Sequence, residues 1–512
     1  MTAEGFEVAD FRHVGYARLA CDRSGAELPV IARQLFDSGF RLALVAGHDD
    51  GHQLRVVYLF TASAPDRRIE VYVPVPIDDP TIPSLAALSF PASRFERELQ
   101  DLFGIRPENH PQPARLVLHQ HWPKGWHPMR GDAGPPPPFE PETSPFPFTQ
   151  VEGPGVYEIP VGPVHAGLIE PGHFRFSAVG ETIITMKARL WFVHKGLEKL
   201  FQGRSPMDGL ALAERISGDT AVGHAWAYSQ AVEDALLLTI PRDAHLLRAI
   251  LLELERLYNH VADVGALCND VGFGIVHAHS QRIRERLLRL NADVTGHRLL
   301  RDGIAPGGVT LRRTPNPAQL DVIADDFDEV VNMALSNSTV VDRFTETSVL
   351  TREHASEIGV LGYAARASGL DTDARIAHPP PDLEPIYRDL QLPRRQDGDV
   401  MARFQVRVDE FRQSTRLLRR LVAAVDGRHL DQRAPLPEKS PSRSTGVGII
   451  EGWRGTIVHR LELADGALTR VKVVDPSFLN WPGLATSLEN TIVPDFPLTN
   501  KSFNLSYAGN DL

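Results

Sequence analysis

Two different spacings of apolar residues divide the chain. Between residues 40 and 76, the segments FRLALVAGHD, HQLRVVYLFTA and RRIEVYVPVP are rich in Val, Leu, Ile and Tyr and are separated by turn residues, which predicts strands. The next segment, FPASRFERELQDLFG, places Phe95, Leu99 and Leu102 on one face of a helix. We therefore expect an α+β fold in the N-terminal part.

Helical spacing dominates later in the chain. The segments MKARLWFVHKGLEKLFQG, DAHLLRAILLELERLYNHVADVGAL and SQRIRERLLRLNADVTGHRLL have apolar residues at intervals of three and four, which predicts helices. The segment GTIVHRLELADGALTRVKVV predicts a β-hairpin that turns at Asp465 and Gly466. The apolar segment FPLTNKSFNLSY predicts a C-terminal strand held inside the protein. This part should be mainly α, with small β elements.

A proline-rich segment separates the two parts. Residues 131–150, GDAGPPPPFEPETSPFPFTQ, contain seven prolines and no periodic pattern, and proline stiffens a chain. We predict an α+β domain over residues 1–130, a semi-rigid linker over 131–150 and a mainly helical domain over 151–512.

Composition and charge exclude several classes of function. The formal net charge of −11 disfavours nucleic acid as a partner. No apolar run reaches 18 residues, so no segment is expected to span a membrane. The two cysteines, Cys21 and Cys268, are too few to hold a cubane iron–sulfur cluster in the usual way. The sequence has no P-loop and no G-x-G-x-x-G motif after a strand, so no motif predicts a nucleotide-binding site.

Several motifs, in one order along the chain, resemble those of a known family. RFERELQDLFGIRPENHP and QHWPKGWHPMR are similar to the small hydrophilic (30 kDa) subunit of respiratory complex I. GPVHAGLIEPGHFRF, HKGLEKLFQGR, ERISGDTAVGHAWAYSQAVED and LGYAARASGLDTDAR resemble the large subunit of complex I and of membrane-bound hydrogenases. The fusion of both in one chain resembles the large subunit of formate hydrogenlyase-type, energy-converting (group 4) hydrogenases.

The resemblance fails at the nickel–iron site. Hydrogenases of this family hold the two metals with four thiolates from two C-x-x-C pairs. In this chain Ser217 and Thr220 take the first pair's places, and Ser506 and Gly509 take the second pair's. Hydroxyl groups are poor ligands for such soft-ligand metals, so we expect no metal and no nickel. Related nickel enzymes carry a C-terminal extension that is cleaved after metal loading, and because the sequence ends at Leu512 we expect no such cleavage here.

The resemblance assigns roles to three residues near the start of the large module. His165, in GPVHAG, matches a histidine in the quinone chamber of complex I, where it could supply a proton. Glu170 and His173 match an E-x-G-H-x-R element at the hydrogenase proton-transfer gate. The alternatives are a loop histidine bonded to backbone and a purely structural turn.

Further along the chain, the resemblance points to two more residues of the former metal site. His224 follows the first lost pair, and without a metal it could be a satisfied core residue. Arg454, in EGWRGTI, matches an arginine that projects over the hydrogenase active site, or it forms a salt bridge. Trp453 replaces the family's proline, and the quinone-binding tyrosine of complex I, expected near Gly218, is absent.

The resemblance implies a subunit of a membrane-associated redox complex related to NADH-quinone oxidoreductase and hydrogenase. Its catalytic residues would be His165, Glu170 and Arg454, and its cavity would hold a quinone or another carrier. The cavity lining is expected to comprise His165, His173, Ser217, Thr220, His224 and Ser506.

The alternative function is a catalytically silent scaffold, which a cavity filled by Trp453 and Tyr507 would favour. An active nickel–iron hydrogenase is disfavoured by the lost cysteines. The implied partners are a small subunit that carries an iron–sulfur cluster and antiporter-like integral membrane subunits. The chain itself would bind no cofactor and would lie peripherally on the cytoplasmic face of the inner membrane.

Overall fold

The N-terminal part is a mixed sheet covered by two helices. The computed structural model describes residues 11–63, 65–139, 146–166, 169–425, 429–437 and 442–512. The first elements are β1 (Arg12–Gly15), β2 (Arg18–Asp22), α1 (Leu28–Asp37), β3 (Arg41–Asp49), β4 (Leu54–Ala62), β5 (Arg67–Val75), β6 (Thr81–Pro83), α2 (Phe90–Phe103) and β7 (Arg106–Glu108). The five-stranded sheet has the order β1-β2-β5-β4-β3, and only β2 and β5 run parallel within it. The three predicted strands and the predicted helix are confirmed.

The C-terminal part begins with a three-stranded antiparallel sheet and continues mainly as helices. Its first elements are β8 (Val156–Val161), β9 (His173–Val179), β10 (Thr182–Arg189), α3 (Leu197–Leu200), α4 (Pro206–Ala213), α5 (Ala221–Leu236), α6 (Arg242–Asp270) and α7 (Gly274–Thr295). The middle elements are β11 (Ile304–Ala305), β12 (Gly308–Thr310), α8 (Pro317–Leu335), α9 (Ser338–Phe344), α10 (Arg352–Ile358), α11 (Gly362–Ala367), α12 (Ala374–Ala377), α13 (Glu384–Tyr387) and α14 (Val400–Ala424). The last are β13 (Asp431–Arg433), β14 (Arg443–Gly452), β15 (Gly455–Ala464), β16 (Ala467–Val474), α15 (Pro476–Ser487), α16 (Phe496–Phe503) and α17 (Tyr507–Asp511).

Helix α5 lies directly on strand β14, and two glycines of the strand make this contact close. A Cβ atom added to Gly446 or Gly448 would come within 1.8 or 1.9 Å of backbone carbonyl oxygens of α5. Any side chain at either position would push the helix off the sheet. The contact places the N-terminus of α5 beside the two-residue turn between β14 and β15, which carries Trp453 and Arg454.

The predicted hairpin at residues 455–474 is confirmed, while two other predictions are wrong. Asp465 and Gly466 both adopt positive φ, at 48° and 82°, as a two-residue turn of this kind requires. The predicted helix over residues 186–203 is instead the end of β10, a loop and a four-residue helix. Its apolar residues pack on two different clusters: Met186 of β10 lies in one, and Leu197 and Phe201 lie in another.

The predicted C-terminal strand is also wrong, because residues 496–503 and 507–511 are helical. Its burial is confirmed: Phe503, Leu505 and Leu512 have relative exposures of 0, 5 and 7%. The spacing of apolar residues alone does not distinguish a helix from a strand in so short a segment.

The two parts of the chain share a hydrophobic core. Phe95 of α2 stacks on Phe478 of α15 with ring centroids 5.0 Å apart. Residues 131–139 and 146–150, the described parts of the proline-rich segment, contain no helix or strand, and the domain boundaries stay a prediction. Across the described residues, no helix is both long and apolar enough to cross a bilayer.

Candidate functional site

The four positions that the family resemblance aligns with the hydrogenase cysteines come together from distant parts of the chain. Oγ of Ser217 and Oγ of Ser506 are 2.8 Å apart although 289 residues separate them in the chain. Thr220 is the N-cap residue of α5, and Ser506 caps α17 by accepting a hydrogen bond from the backbone N–H of Gly509 at 2.9 Å. The prediction that the two motifs meet is confirmed.

Asp219 lies at the centre of this meeting point. Its Oδ1 accepts hydrogen bonds from the hydroxyls of Ser217 and Thr220 at 3.0 and 3.1 Å. The guanidinium of Arg454 donates to both of its oxygens at 2.7 Å. Sequence analysis missed Asp219, although it stands between the two hydroxyl residues and its charge was a visible signal.

Arg454 is held in place rather than free in a cavity. Its Nε donates to the carbonyl of Asn504 at 2.6 Å, and its guanidinium lies 3.9 Å from the ring centroid of Trp453. Burial disfavours the charged arginine, but the Asp219 carboxylate outweighs this and raises the pKa of Arg454. Burial acts to raise the pKa of Asp219, but the positive charge of Arg454 outweighs burial, so the pKa is lowered. Both groups therefore stay charged.

The space beside Gly509 is occupied by the carboxylate of Asp475. A Cβ atom added to Gly509 would lie 2.6 Å from the carboxyl carbon of Asp475. Asp475 accepts from Nε2 of His224 at 3.0 Å, and Nδ1 of His224 lies 3.1 Å from Nε2 of His459. His224 is fully buried in this cluster. Burial and the neighbouring His224 hold the pKa of His459 well below its ordinary value.

These residues do not fit a nickel–iron centre. Three of the four ligand positions carry hydroxyls that are already hydrogen-bonded inside the protein, and the fourth has no side chain. The two cysteines of the sequence, Cys21 and Cys268, are buried in two different hydrophobic clusters. Because the donor set contains no thiolate and its hydroxyls are engaged, the pattern of soft ligands that such metals need is missing.

A cavity of about 660 Å³ adjoins this cluster. Its polar lining includes Ser217, Asp219, Arg454 and Ser506, and Gly218 opens onto it. Its apolar lining is formed by Val161, Ala166, Ile169, Phe174, Phe496, Pro497, Leu505 and Ala508. A Cβ atom added to Gly218 would meet no atom within 4 Å. Gly218 thus borders open space.

The structure places the other predicted residues at different distances from this cavity. His165 and Glu170 line it. Thr220, His224 and His173 are not among its lining residues, and Nδ1 of His173 lies 3.1 Å from the carbonyl of Gly162. The catalytic and quinone-binding roles assigned to these residues stay predictions.

Tyr507 forms part of the cavity wall rather than filling the space. Its ring packs edge-on against Trp481 with centroids 4.9 Å apart, and burial raises the pKa of its phenol to about 12. Trp453 lies behind the wall and donates from Nε1 to the carbonyl of Asp219 and to Oγ1 of Thr220, both at 3.1 Å. Asp270 and Lys501 also line the cavity. Sequence analysis missed both because they lie outside the recognised motifs.

Three family models match successive parts of the chain. They describe the 30 kDa subunit of respiratory-chain NADH dehydrogenase (residues 24–137), nickel-dependent hydrogenase (residues 195–268) and the 49 kDa subunit of respiratory-chain NADH dehydrogenase (residues 270–445). Hydrogenase-4 component G of Escherichia coli K12 is 31% identical over 489 residues, covering 92% of this chain and 83% of the relative. The chain belongs to the family of hydrogenase and complex I large subunits.

Other members of this family show the same fusion of two modules. Formate hydrogenlyase subunit 5 of Escherichia coli K12 is 28% identical, covering 94% of this chain and 87% of the relative. The C/D subunit of NADH-quinone oxidoreductase from Phocaeicola vulgatus is 27% identical, with coverages of 75% and 78%. These relatives are subunits of oxidoreductases, and this large subunit is one too.

A solved structure shares the fold. A chain of the membrane-bound sulfane sulfur reductase, described as an archaeal respiratory membrane complex, matches with a TM-score of 0.64 and 23% identity. The match covers 70% of this large subunit and 99% of that chain. It agrees with the predicted architecture, an α+β module followed by a mainly helical one.

Proposed function

We propose that this chain is the large peripheral subunit of a membrane-associated, complex I-like oxidoreductase. Its 660 Å³ cavity, which we call the chamber, would take the headgroup of a quinone or a similar carrier. A quinone is reduced to a hydroquinone by two electrons and two protons, and the electrons would come from an iron–sulfur cluster in a partner subunit. Antiporter-like membrane subunits would hold the complex on the cytoplasmic face of the membrane.

The composition of the chamber wall carries this proposal. The lining combines apolar residues, among them Phe174, Phe496 and Leu505, with the polar side chains of His165, Glu170 and Asp219. Carrier headgroups of this kind need an apolar surface for the ring and a few fixed polar groups for the oxygens. The chamber is also formed by both inherited motifs, where electrons arrive in the family's metal enzymes.

The electron source would have to be a partner. Cys21 and Cys268 are both buried, in different hydrophobic clusters, and burial raises the pKa of the Cys268 thiol to about 12. A cubane cluster normally takes four thiolates, more than these two cysteines can supply.

The silent scaffold is the second candidate, and one observation favours it. The hydroxyls at the former ligand positions are tied to each other and to Asp219, so that the site is cross-linked without a metal. A scaffold would need this cross-link but would have no use for open volume beside it.

Blocking the chamber separates the two candidates. Gly218→Phe adds a ring where the Cβ atom meets open space, so it should fill the chamber without disturbing the fold. We expect the complex, isolated through a tag on this chain, to assemble normally but to lose electron transfer from reduced methyl viologen to decylubiquinone. Gly218→Ala is the control and should keep the activity. Full activity in the assembled Gly218→Phe complex would support the scaffold.

Elemental analysis tests the alternative that the chain is an active nickel–iron hydrogenase. The donor set at positions 217, 220, 506 and 509 predicts that the purified complex contains no stoichiometric nickel and takes up no hydrogen. One nickel per chain would show that the site binds the metal despite its hydroxyls.

A further inference from the structure

The hydroxyl protons at the former ligand positions are all used inside the protein. Ser217 donates its single proton to Asp219 at 3.0 Å. The 2.8 Å contact between Ser217 and Ser506 must then use the proton of Ser506. Oγ of Ser506 also accepts from the N–H of Gly509. Neither serine therefore has a proton left to offer a ligand in the chamber.

Arg454 has little to offer a ligand. Its Nε donates to Asn504, and its Nη1 and Nη2 donate to the two oxygens of Asp219. Its side chain is 3% exposed. Arg454 thus directs its hydrogen-bond donors toward protein groups and away from a ligand in the chamber.

Glu170 and His165, which also line the chamber, keep unused hydrogen-bond acceptors. Asp219 keeps 36% side-chain exposure, but its two oxygens already accept four hydrogen bonds, which uses the lone pairs of a carboxylate. Glu170 uses Oε2 to accept from the backbone N–H of Ala508 at 3.1 Å, which leaves its Oε1. Nε2 of His165 lies 2.7 Å from the carbonyl of Gly172. A carbonyl can only accept, so Nε2 carries the proton and Nδ1 of the neutral ring presents a lone pair.

Asp219, Glu170 and His165 are each connected to one short segment, residues 506–508. Asp219 is connected to this segment through hydrogen bonds of Ser217 and Ser506, and Glu170 accepts a hydrogen bond from the backbone of the segment. Gly172, which fixes His165, packs against the ring of Tyr507, since a Cβ atom there would lie 2.7 Å from Cε1. Within the described residues, neither Oε1 of Glu170 nor Nδ1 of His165 makes a hydrogen bond.

The other donors of the lining are few. Oη of Tyr507 is buried and makes no hydrogen bond within the described residues, and the charge of Lys501 acts against the burial that raises the pKa of the Asp270 carboxyl. The amides of Asn500 and Asn504 complete the set. An amide serves as donor or acceptor, so it does not offset the excess of acceptors.

From this arrangement we infer that the chamber binds the reduced, hydroquinone form of its carrier more tightly than the oxidised, quinone form. The inference rests on the proposed function. A hydroquinone has two O–H donors, which match the free lone pairs of Glu170 and His165. A quinone has only carbonyl oxygens, which would face those lone pairs without a proton between them.

The preference has a redox consequence. A site that binds the reduced form tenfold more tightly raises the midpoint potential of the bound two-electron couple by about 30 mV. The bound carrier would then be a better electron acceptor than the free carrier.

Equilibrium binding of decylubiquinol and decylubiquinone to the complex, measured anaerobically, tests the inference. We expect the hydroquinone to bind about tenfold more tightly, since at least one charge-assisted hydrogen bond distinguishes the two forms. Glu170→Gln keeps an oxygen for the N–H of Ala508 and replaces the free acceptor with an amide donor. It should reduce the preference at least threefold, mainly by strengthening quinone binding. Glu181→Gln, an exposed glutamate outside the chamber lining, is the matched control.

The outcomes separate the inference from the proposed function. If neither form binds wild-type complex, the chamber is not a carrier site and the proposed function fails. If both forms bind equally, if the quinone binds more tightly, or if Glu170→Gln leaves the ratio unchanged, the carrier site stands and the preference for the reduced form is wrong.

Discussion

Two regions of this protein bury charges, and they do so in different ways. The first, the inter-module network, comprises Arg18, Arg55, Glu70, Arg460 and Glu462, where the sheet of the N-terminal part meets β15. Glu70 pairs with Arg18 at 3.2 Å and with Arg460 at 3.0 Å, and Glu462 pairs with Arg55 and Arg460 at 3.0 Å. All five side chains are between 0 and 12% exposed.

The second region is the chamber wall. There Asp219 is paired with Arg454 as firmly as any carboxylate of the network, but it retains 36% exposure toward an open volume. Buried charge alone therefore does not indicate a functional site in this chain. The distinguishing property is contact with an open cavity, where Glu170 and His165 keep unused acceptors, whereas the groups of the network face each other.

The largest expected effect comes from breaking the inter-module network. Arg460→Ala leaves Glu70 and Glu462 short of a cation in a fully buried place, and removal of one partner of a buried pair destabilises by about 3–5 kcal/mol. Urea denaturation of the purified chain measures it. Arg443→Ala is the matched control, because Arg443 contacts the same Glu462 but is 58% exposed, so its removal should change stability by about 0–1 kcal/mol. Equal losses in the two variants would contradict the distinction.

A buried carboxyl without an arginine partner sharpens the comparison through pH. Burial raises the pKa of Glu96 from 4.5 to about 7, although Ser84 and the N–H of Leu85 both donate to it. Its folded pKa lies above its unfolded pKa, so the stability it contributes is complete below about pH 4.5 and is lost as the pH rises to about 7.

Glu96→Gln should remove this dependence, because an amide can still accept from Leu85 and can donate to Ser84. We expect the variant to gain about 2–3 kcal/mol over the wild type between pH 5 and pH 8. Denaturation curves of both proteins at the two pH values give the difference. If the difference in stability between the two proteins is the same at both pH values, Glu96 is ionised in the folded protein at both.

At the chamber wall, removing the central charge should have a smaller effect on stability. Asp219→Asn leaves Arg454 without its counter-ion, but the partial exposure of Asp219 lets water compensate, so the expected loss is about 1–3 kcal/mol. Faster amide hydrogen exchange in residues 504–512 should accompany it, since Asp219 links Arg454 and Ser217 to that segment. Asp321→Asn is the control, because Asp321 is in an exposed pair with Arg419. Unchanged exchange would show that the segment is held by apolar packing alone.

Much of the fold followed from the sequence. The three strands at residues 41–75, the long helix α6 and the hairpin at residues 455–474 have strong periodicity or a specific turn, and all three are confirmed. The errors fell on the region around residues 186–203 and on the C-terminal tail, where short apolar segments form contacts that only tertiary structure selects. The meeting of Ser217 with Ser506 was predictable from the family resemblance, not from periodicity.

The chamber itself was only partly predictable. Motif comparison identified positions 217, 220, 506 and 509 because cysteines were expected there. It could not reveal that Asp219 would neutralise Arg454 or that Asp475 would occupy the space beside Gly509. Both depend on side-chain packing between distant segments, and Asp219 and Arg454 are 235 residues apart in the chain. A carboxylate inside the lost motif was the visible signal for the first, and no signal marked the second.

The smallest expected effect tests the difference between filled and open space within the chamber wall. Gly218 and Gly509 both lie in former metal-site motifs, yet an added Cβ atom meets nothing within 4 Å at Gly218 and meets the carboxylate of Asp475 at Gly509. Gly218→Ala should therefore change stability by less than about 0.5 kcal/mol, and a small gain is expected because alanine restricts the unfolded chain. Gly509→Ala must displace Asp475 from His224 and should lose about 1–3 kcal/mol. Thermal melts of the two single variants measure both effects. A loss at Gly218 as large as that at Gly509 would mean that the space beside Gly218 is occupied in solution, and a chamber closed at that point could not admit a carrier.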